Sequence, residues 1–354
     1  MDTAASLRLA TTPKAAKPTA NPGRPRSSGT RSRSAGSTPI PSPPVAHRLQ
    51  KVRSMHLEEM AATLEATGRY RVLRELATDA TAFCPVPDPR DLPAGHRLGL
   101  CVDTETTSLD PRTGDIIELA MVPFTFTDDG QIVEIFQPFQ QLQQPSGPIP
   151  AAITDLTGID DAMVAGMSID LDAVVGLVST AEICIAHKAA FDRRWLEKLS
   201  PIFTTKPWAC SLHEVPWKDE GFENLSLSYI GMKSGFFFKA HRAAEDCLAA
   251  LQILKLPLPK SGRSPISYLL QASRAITCRI KAPNTPFERK ELLKARSYRW
   301  SDGSDGSQKA WWIDIPEEKL QEEITFLQSQ IYLRPVDPPV RRITALERFS
   351  ARAD

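Results

Sequence analysis

The segment Leu98-Gly99-Leu100-Cys101-Val102-Asp103-Thr104-Glu105 runs through apolar residues and ends in two carboxylates one residue apart. The run has strand character, and residues two apart in a strand project from one face, so Asp103 and Glu105 point the same way. An acid-X-acid triplet alone says little, because acids are roughly an eighth of average composition and such triplets recur by chance. Context gives this one weight. It closes a buried strand, is followed by Thr106-Thr107-Ser108-Leu109-Asp110-Pro111, and leads into a second strand from Asp115 to Phe126. An ordinary solvated acidic face would not follow so apolar a run.

Two later segments supply more acids. Ile185-Ala186-His187-Lys188-Ala189-Ala190-Phe191-Asp192 reads as a strand followed at once by a helix start. Asp192 is thereby placed at a strand's carboxyl end beside a helix N-terminus, where open α/β sheets bind ligands. His241-Arg242-Ala243-Ala244-Glu245-Asp246-Cys247-Leu248 opens another helix. His241 and Asp246 on one helix would lie about 140° apart. The expectation is therefore His241 on the preceding loop and Asp246 within the first turns, both reaching one pocket. Four carboxylates make a hard, all-oxygen cage suited to Mg²⁺ or Mn²⁺. Such a set suits two-ion phosphodiester hydrolysis, with His241 left to act as a base near neutral pH.

At 354 residues, 42% hydrophobic and 24% charged, the chain has an ordinary soluble composition with room for two modest domains. No run approaches the roughly 18 apolar residues of a membrane span, so no membrane partner is expected. The cysteines, Cys84, Cys101, Cys184, Cys210, Cys247 and Cys278, contain no Cys-X-X-Cys pair and fall mostly in apolar segments. Neither a zinc site nor a disulfide framework is indicated, and a reducing, cytoplasmic setting is expected. The net charge of +1 hides an asymmetry: residues 1–55 carry ten basic residues against Asp2 alone, or +9, which leaves −8 for the remainder. That Ser-, Pro- and Ala-rich tail cannot bury enough apolar surface to fold and is expected to be disordered. Three roles stay open for it: an inert solubilising tail, a nucleic-acid tether, or a cleavable targeting segment.

The rest divides into a helical extension and linker (56–96), an alternating strand-and-helix segment (97–258) and a C-terminal α+β region (262–354). In the middle segment, strands joined at Asp128-Asp129-Gly130 precede helices near Asp170 to Val178, Phe191 to Leu199, Leu225 to Met232 and Ala243 to Leu254. Strands at Glu182 to Ala186 and Trp208 to Val215 complete a mixed sheet flanked by helices. The C-terminal region reads as helices at Ile266 to Ile276, Pro286 to Ala295 and Glu317 to Ile331, around a hairpin rich in Tyr298, Trp300, Trp311 and Trp312.

The three acidic segments resemble the Exo I, Exo II and Exo III motifs of DEDDh-type, DnaQ-like 3′-to-5′ exonucleases. The resemblance covers about residues 60 to 354 and is most specific over 97 to 258. It implies an RNase-H-like exonuclease core of α/β class, two Mg²⁺ or Mn²⁺ ions held by Asp103, Glu105, Asp192 and Asp246, and His241 as general base. It further implies that Thr106 and Leu109 meet the 3′-terminal nucleotide, and the substrate-contacting set is taken as Thr104, Thr106, Leu109, Lys188 and Phe191. Two positions depart from the family pattern: Lys188 stands where Asn is usual, and Ser108 where Gly is usual. Neither is a metal ligand, and both are read as changes in specificity.

The activity expected is removal of nucleotides from the 3′ end of DNA, single-stranded or frayed, in repair or proofreading. RNA 3′-end trimming is the enzymatic alternative, and an adaptor associated with a DNA polymerase subunit is the non-enzymatic one. Several residues have plainer readings. His187 and His213 are expected to be structural, Glu118 a satisfied sheet residue, and Phe236-Phe237-Phe238 a wall of the pocket floor. Leu156-Thr157-Gly158-Ile159 reads either as a substrate-side segment or as a helix C-cap. The bases and aromatics of the C-terminal region can track and stack a nucleic acid strand or dock a partner; alternatively they fill that region's own core.

Overall fold

A computed structural model describes residues 45–78, 83–304 and 306–353, with residues 45–55 described by backbone alone. The tail expected over 1–55 lies outside the described residues up to 44. From Val45 the chain is helical to Ala66, where the residue pattern from Ala46 reads as helical. In chain order the elements begin with helix α1 (Val45–Ala66) and strands β1 (Arg74–Glu75), β2 (His96–Thr106), β3 (Ile116–Thr127), β4 (Ile132–Ile135) and β5 (Phe139–Leu142). Helices α2 (Ala151–Thr157), α3 (Asp161–Val164) and α4 (Leu171–Thr180) lead to β6 (Ile183–Ala186), α5 (Ala189–Leu199), β7 (Trp208–Cys210) and α6 (Ser211–Glu214). Next come α7 (Leu227–Lys233), β8 (Phe236–Phe237), α8 (Ala243–Lys255) and α9 (Pro265–Arg274). The C-terminal region holds β9 (Thr277–Pro283), α10 (Lys290–Ala295), β10 (Arg299–Ser301), β11 (Ala310–Pro316), α11 (Leu320–Phe326) and β12 (Val340–Ile343). No helix among the described residues is long and apolar enough to cross a membrane.

The main sheet has the order β4-β3-β2-β6-β7, with β5 also paired to β3. β2 and β3 are antiparallel along their whole length, whereas β6 joins β2 and β7 joins β6 in parallel, so the sheet is mixed as expected. Strand alternation sorts side chains into two layers. Leu100, Val102, Leu119, Met121, Cys184 and Ala186 pack with α4 and α5 through Val174, Val178, Trp195 and Leu196. Cys101, Ala120, Val122, Phe124 and Ile185 turn to the opposite layer, beneath α8 and α9. Asp103 and Glu105 continue the parity of Cys101 and therefore belong to the α8 side. The strand expected to run to Val215 stops at Cys210, where the chain turns into α6.

A second, four-stranded antiparallel sheet, β10-β11-β9-β12, forms in the C-terminal region. One of its faces packs Cys278, Ile280 and Ala282 against Leu293, Leu327 and Ile331. Helix α9 shares the core beneath α8 instead, through Ile266, Leu269 and Leu270. The chain then returns to the main sheet. The fully buried Arg193 of α5 donates to the carbonyls of Ala345, Leu346 and Arg348 at 2.9, 2.6 and 2.8 Å. Arg348 in turn pairs with Glu214 at 2.8 Å. These bonds fix the helix that carries Asp192.

Gly99 shows how closely the first strand is packed. A Cβ there would lie 2.5 Å from the Phe124 ring, its cross-strand partner. Gly99→Val should therefore destabilise the protein by about 1–3 kcal/mol through overpacking, read as a lowered midpoint in urea. An unchanged midpoint would mean that the Phe124 ring has room to move.

Candidate active site at the end of the first long strand

The ten residues singled out in the sequence line one cavity of about 450 Å³: Asp103, Thr104, Glu105, Thr106, Leu109, Lys188, Phe191, Asp192, His241 and Asp246. Within it, ligand atoms of Asp103, Glu105 and Asp246 lie within 4.8 Å of one another and could hold a metal ion. The strand parity explains the grouping, because the first two face α8 and Asp246 stands in its first turn. Asp192 arrives from α5 on the other side of the sheet. Its Oδ1 accepts from the backbone N–H and hydroxyl of Thr104 at 3.1 and 3.0 Å, which fixes the carboxylate beside the trio.

His241 lies on the loop before α8, as expected, with φ of +67° in the left-handed region. For a residue with a side chain this conformation costs on the order of 1 kcal/mol. Asp246 offsets that cost, since its Oδ2 accepts the N–H groups of His241 and Arg242 at 2.7 and 3.2 Å. One carboxylate thus caps the helix, shapes the loop and joins the acidic trio. Glu118 supports the same loop from the sheet and is wholly buried. It accepts from Arg242 Nη2 at 2.8 Å, the Ala243 N–H at 3.0 Å and Gln140 Nε2 at 2.7 Å. Glu118 is accordingly a satisfied sheet residue whose partners set the position of the His241 loop.

The electrostatics are severe. Burial, reinforced by Asp192, Asp246 and Glu105, raises the Asp103 carboxyl well above the ordinary range. Burial and then the Asp246 charge push Glu105 up to about 8. Desolvation likewise takes Asp192 to about 7 and Asp246 to about 6. His241 moves the other way, lowered by burial and by the ammonium of Lys188. A partly desolvated group of like charges built only of oxygen donors fits a hard divalent cation.

The remaining expectations sort clearly. Leu109 is 86% exposed at the cavity mouth, and Lys188 is also exposed. His187 is buried, bonded to Ser211 Oγ at 2.8 Å and the Leu225 carbonyl at 2.9 Å, and so is structural although it lines the cavity. His213 lies outside the cavity lining. The Phe236–Phe238 wall is a correction: Phe236 and Phe238 pack in the core beneath α8 and none of the three lines the cavity. The C-cap reading of the Leu156 segment holds, since Gly158 is a left-handed C-cap at φ of +74°, and Leu156 lines the cavity. Sequence reasoning missed Ile153 and the Ser226-Leu227-Ser228 turn. Ser226 caps α7 through the Tyr229 N–H, and this N-cap pattern was the available signal.

The exonuclease family model RNase_T matches residues 100–254. Those residues are similar to the exonuclease domains that the model describes. PolC-type DNA polymerase III of Clostridium perfringens is 32% identical over 170 residues, 45% of this chain and 11% of that protein. The corresponding protein of Listeria welshimeri is 40% identical over 171 residues, 46% of this chain and 11% of the relative. The chain therefore spans about a tenth of the length of these relatives. Among solved structures, exonuclease X in complex with 5′ overhanging duplex DNA is 26% identical with a TM-score of 0.36, covering 49% of this chain and 99% of that one.

Carboxyl groups raised above their unfolded values leave the folded state holding more protons. Stability from them is complete below about pH 4 and is lost as pH rises through about 6 to 8. In a chelator the melting temperature should thus fall over that interval, and Mg²⁺ should restore it at pH 8 far more than at pH 5.5. Equal profiles with and without Mg²⁺ would show that the carboxylates bind no cation.

Proposed function

We propose that the protein is a divalent-cation-dependent exonuclease that removes nucleotides from the 3′ end of DNA. The observation that carries this reading is the meeting of Asp103, Glu105 and Asp246 within 4.8 Å in a cavity also lined by Asp192 and His241. The DNA polymerases among its relatives support DNA over RNA as the polymer, and make a polymerase subunit the partner to test first.

In this reading Asp103, Glu105, Asp192 and Asp246 hold two Mg²⁺ or Mn²⁺ ions. The chemistry those ions supply when bound is activation of water and neutralisation of charge at the leaving 3′-oxygen. His241 takes the proton of the attacking water at its ring nitrogen. Its lowered proton affinity keeps the ring neutral, and therefore basic in function, at pH 7. The Asp246 bond to the His241 N–H fixes the backbone that carries that ring beside the acidic group. Lys188 supplies a positive charge for the scissile phosphate, at a helix start that itself favours anions. Thr104 and Thr106 shape the floor, while Leu109 and Phe191 present apolar faces for the terminal base and sugar.

The two kinds of residue should fail differently. His241→Ala should lower turnover of a 5′-labelled DNA strand by about 10²–10⁴-fold with cation binding intact. Asp103→Ala should remove both turnover and cation binding. Mg²⁺-dependent degradation surviving in Asp103→Ala would refute the assignment of the site.

A further inference from the structure

Away from the carboxylate cavity, the C-terminal sheet has one face packed on its own core and one face open. The register places Arg279, Lys281, Trp312 and Arg299 across three neighbouring strands of the open face. Arg279 and Arg299 both lie over the Trp312 ring, at 4.4 and 4.9 Å from its centroid. Arg341 of β12 stands opposite Arg279 in the register, at the far edge. A cavity of about 430 Å³ opens there, lined by Arg279, Lys281 and Trp312, while Trp300 at the edge strand turns its ring to Trp311 on the other face, 5.5 Å between centroids.

The charges on this face do not cancel. Arg279 is answered by Asp314 at 2.7 Å and Arg341 by Glu347 at 3.0 Å. Lys281 and Arg299 have no carboxylate partner among the described residues. Asp302 also lines the cavity, with Oδ1 engaged by the Ser304 N–H at 2.9 Å. Unanswered cations beside flat indole and guanidinium planes match a ligand that alternates phosphate charge with π-faces. An acidic protein segment would use the charge but leave the flat guanidinium planes stacked over Trp312 unmatched.

We infer that this face is a second binding surface, specific in chemistry for a single-stranded polynucleotide. Phosphates lie against Lys281 and Arg299, and bases stack on the guanidinium planes over Trp312. The surface holds strand that the carboxylate cavity is not processing, and this inference rests on the reading of the chain as a nucleic-acid enzyme.

The test uses the full chain. Affinity for 20-nucleotide dT and rU strands is measured by fluorescence anisotropy in a chelator, and hydrolysis of the p-nitrophenyl ester of thymidine 5′-monophosphate is followed separately with Mn²⁺. The doubly substituted Lys281→Glu, Arg299→Glu protein should bind at least one strand about ten-fold more weakly, with a salt slope shallower by about 1.4. Trp312→Ala should weaken binding about ten-fold with the slope unchanged. Ester hydrolysis should match the parent in both. Strand affinity equal to the parent's in both variants overturns the inference and returns the face to a protein partner. Loss of ester hydrolysis together with affinity overturns it too, by locating the effect at the carboxylate cavity. Absence of ester hydrolysis in the parent would instead count against the exonuclease reading, independently of the strand affinities.

Discussion

Repulsion among partly buried carboxylates is the constraint around which the rest of the main domain is arranged. Asp103, Glu105, Asp192 and Asp246 come from three separate elements, and each is held where desolvation and its neighbours disfavour its charge. Such an arrangement persists only if the scaffold overdetermines it. The long antiparallel pairing of β2 with β3 supplies one part of that scaffold, and the two hydrophobic layers on either side of the sheet supply the other. A cation bound within the group would convert the same geometry from a cost into a binding site.

The supports are polar as well as apolar, and they are shared. Asp246 belongs to the acidic group while capping the loop that bears His241, so the acidic group and that loop are set by one residue. Glu118 sits opposite Glu105 in the strand register and spends its charge on Arg242 and the Ala243 N–H. A fifth carboxylate is thus kept paired, and it braces the loop from below. Arg193 follows Asp192 directly in α5 and ties that helix to the C-terminal segment through three carbonyls. The C-terminal region is in this way part of what holds Asp192, besides presenting its own open sheet face.

Much of this was legible in the sequence because the site is made of local patterns. Strand alternation fixed the common direction of Asp103 and Glu105, and helix periodicity required His241 to stand off the helix that carries Asp246. The parts that were not legible depend on tertiary pairing. β5 has four half-polar residues and exists because β3 offers it an edge. β9 was hidden between two helical segments, although Cys278, Ile280 and Ala282 alternate with Arg279 and Lys281 at a period of two. The phenylalanines before His241 looked like a pocket wall, but β8 pairs with β1, and Phe236 and Phe238 pack in the core beneath α8. That Asp192 would approach from the opposite layer was implicit in its helix. Its bond to Thr104 was not, because no sequence spacing reports a contact across 88 positions.

The most direct test of the central claim is a calorimetric titration of Mn²⁺ into the protein near pH 7, repeated in buffers of different ionisation enthalpy. A site built from carboxylates with raised proton affinity must shed protons as the cation enters. The account predicts saturable binding with proton release that shrinks as the pH is raised to about 9, and loss of that binding in Asp246→Asn. Saturable binding without proton release, or binding untouched by Asp246→Asn, would contradict it.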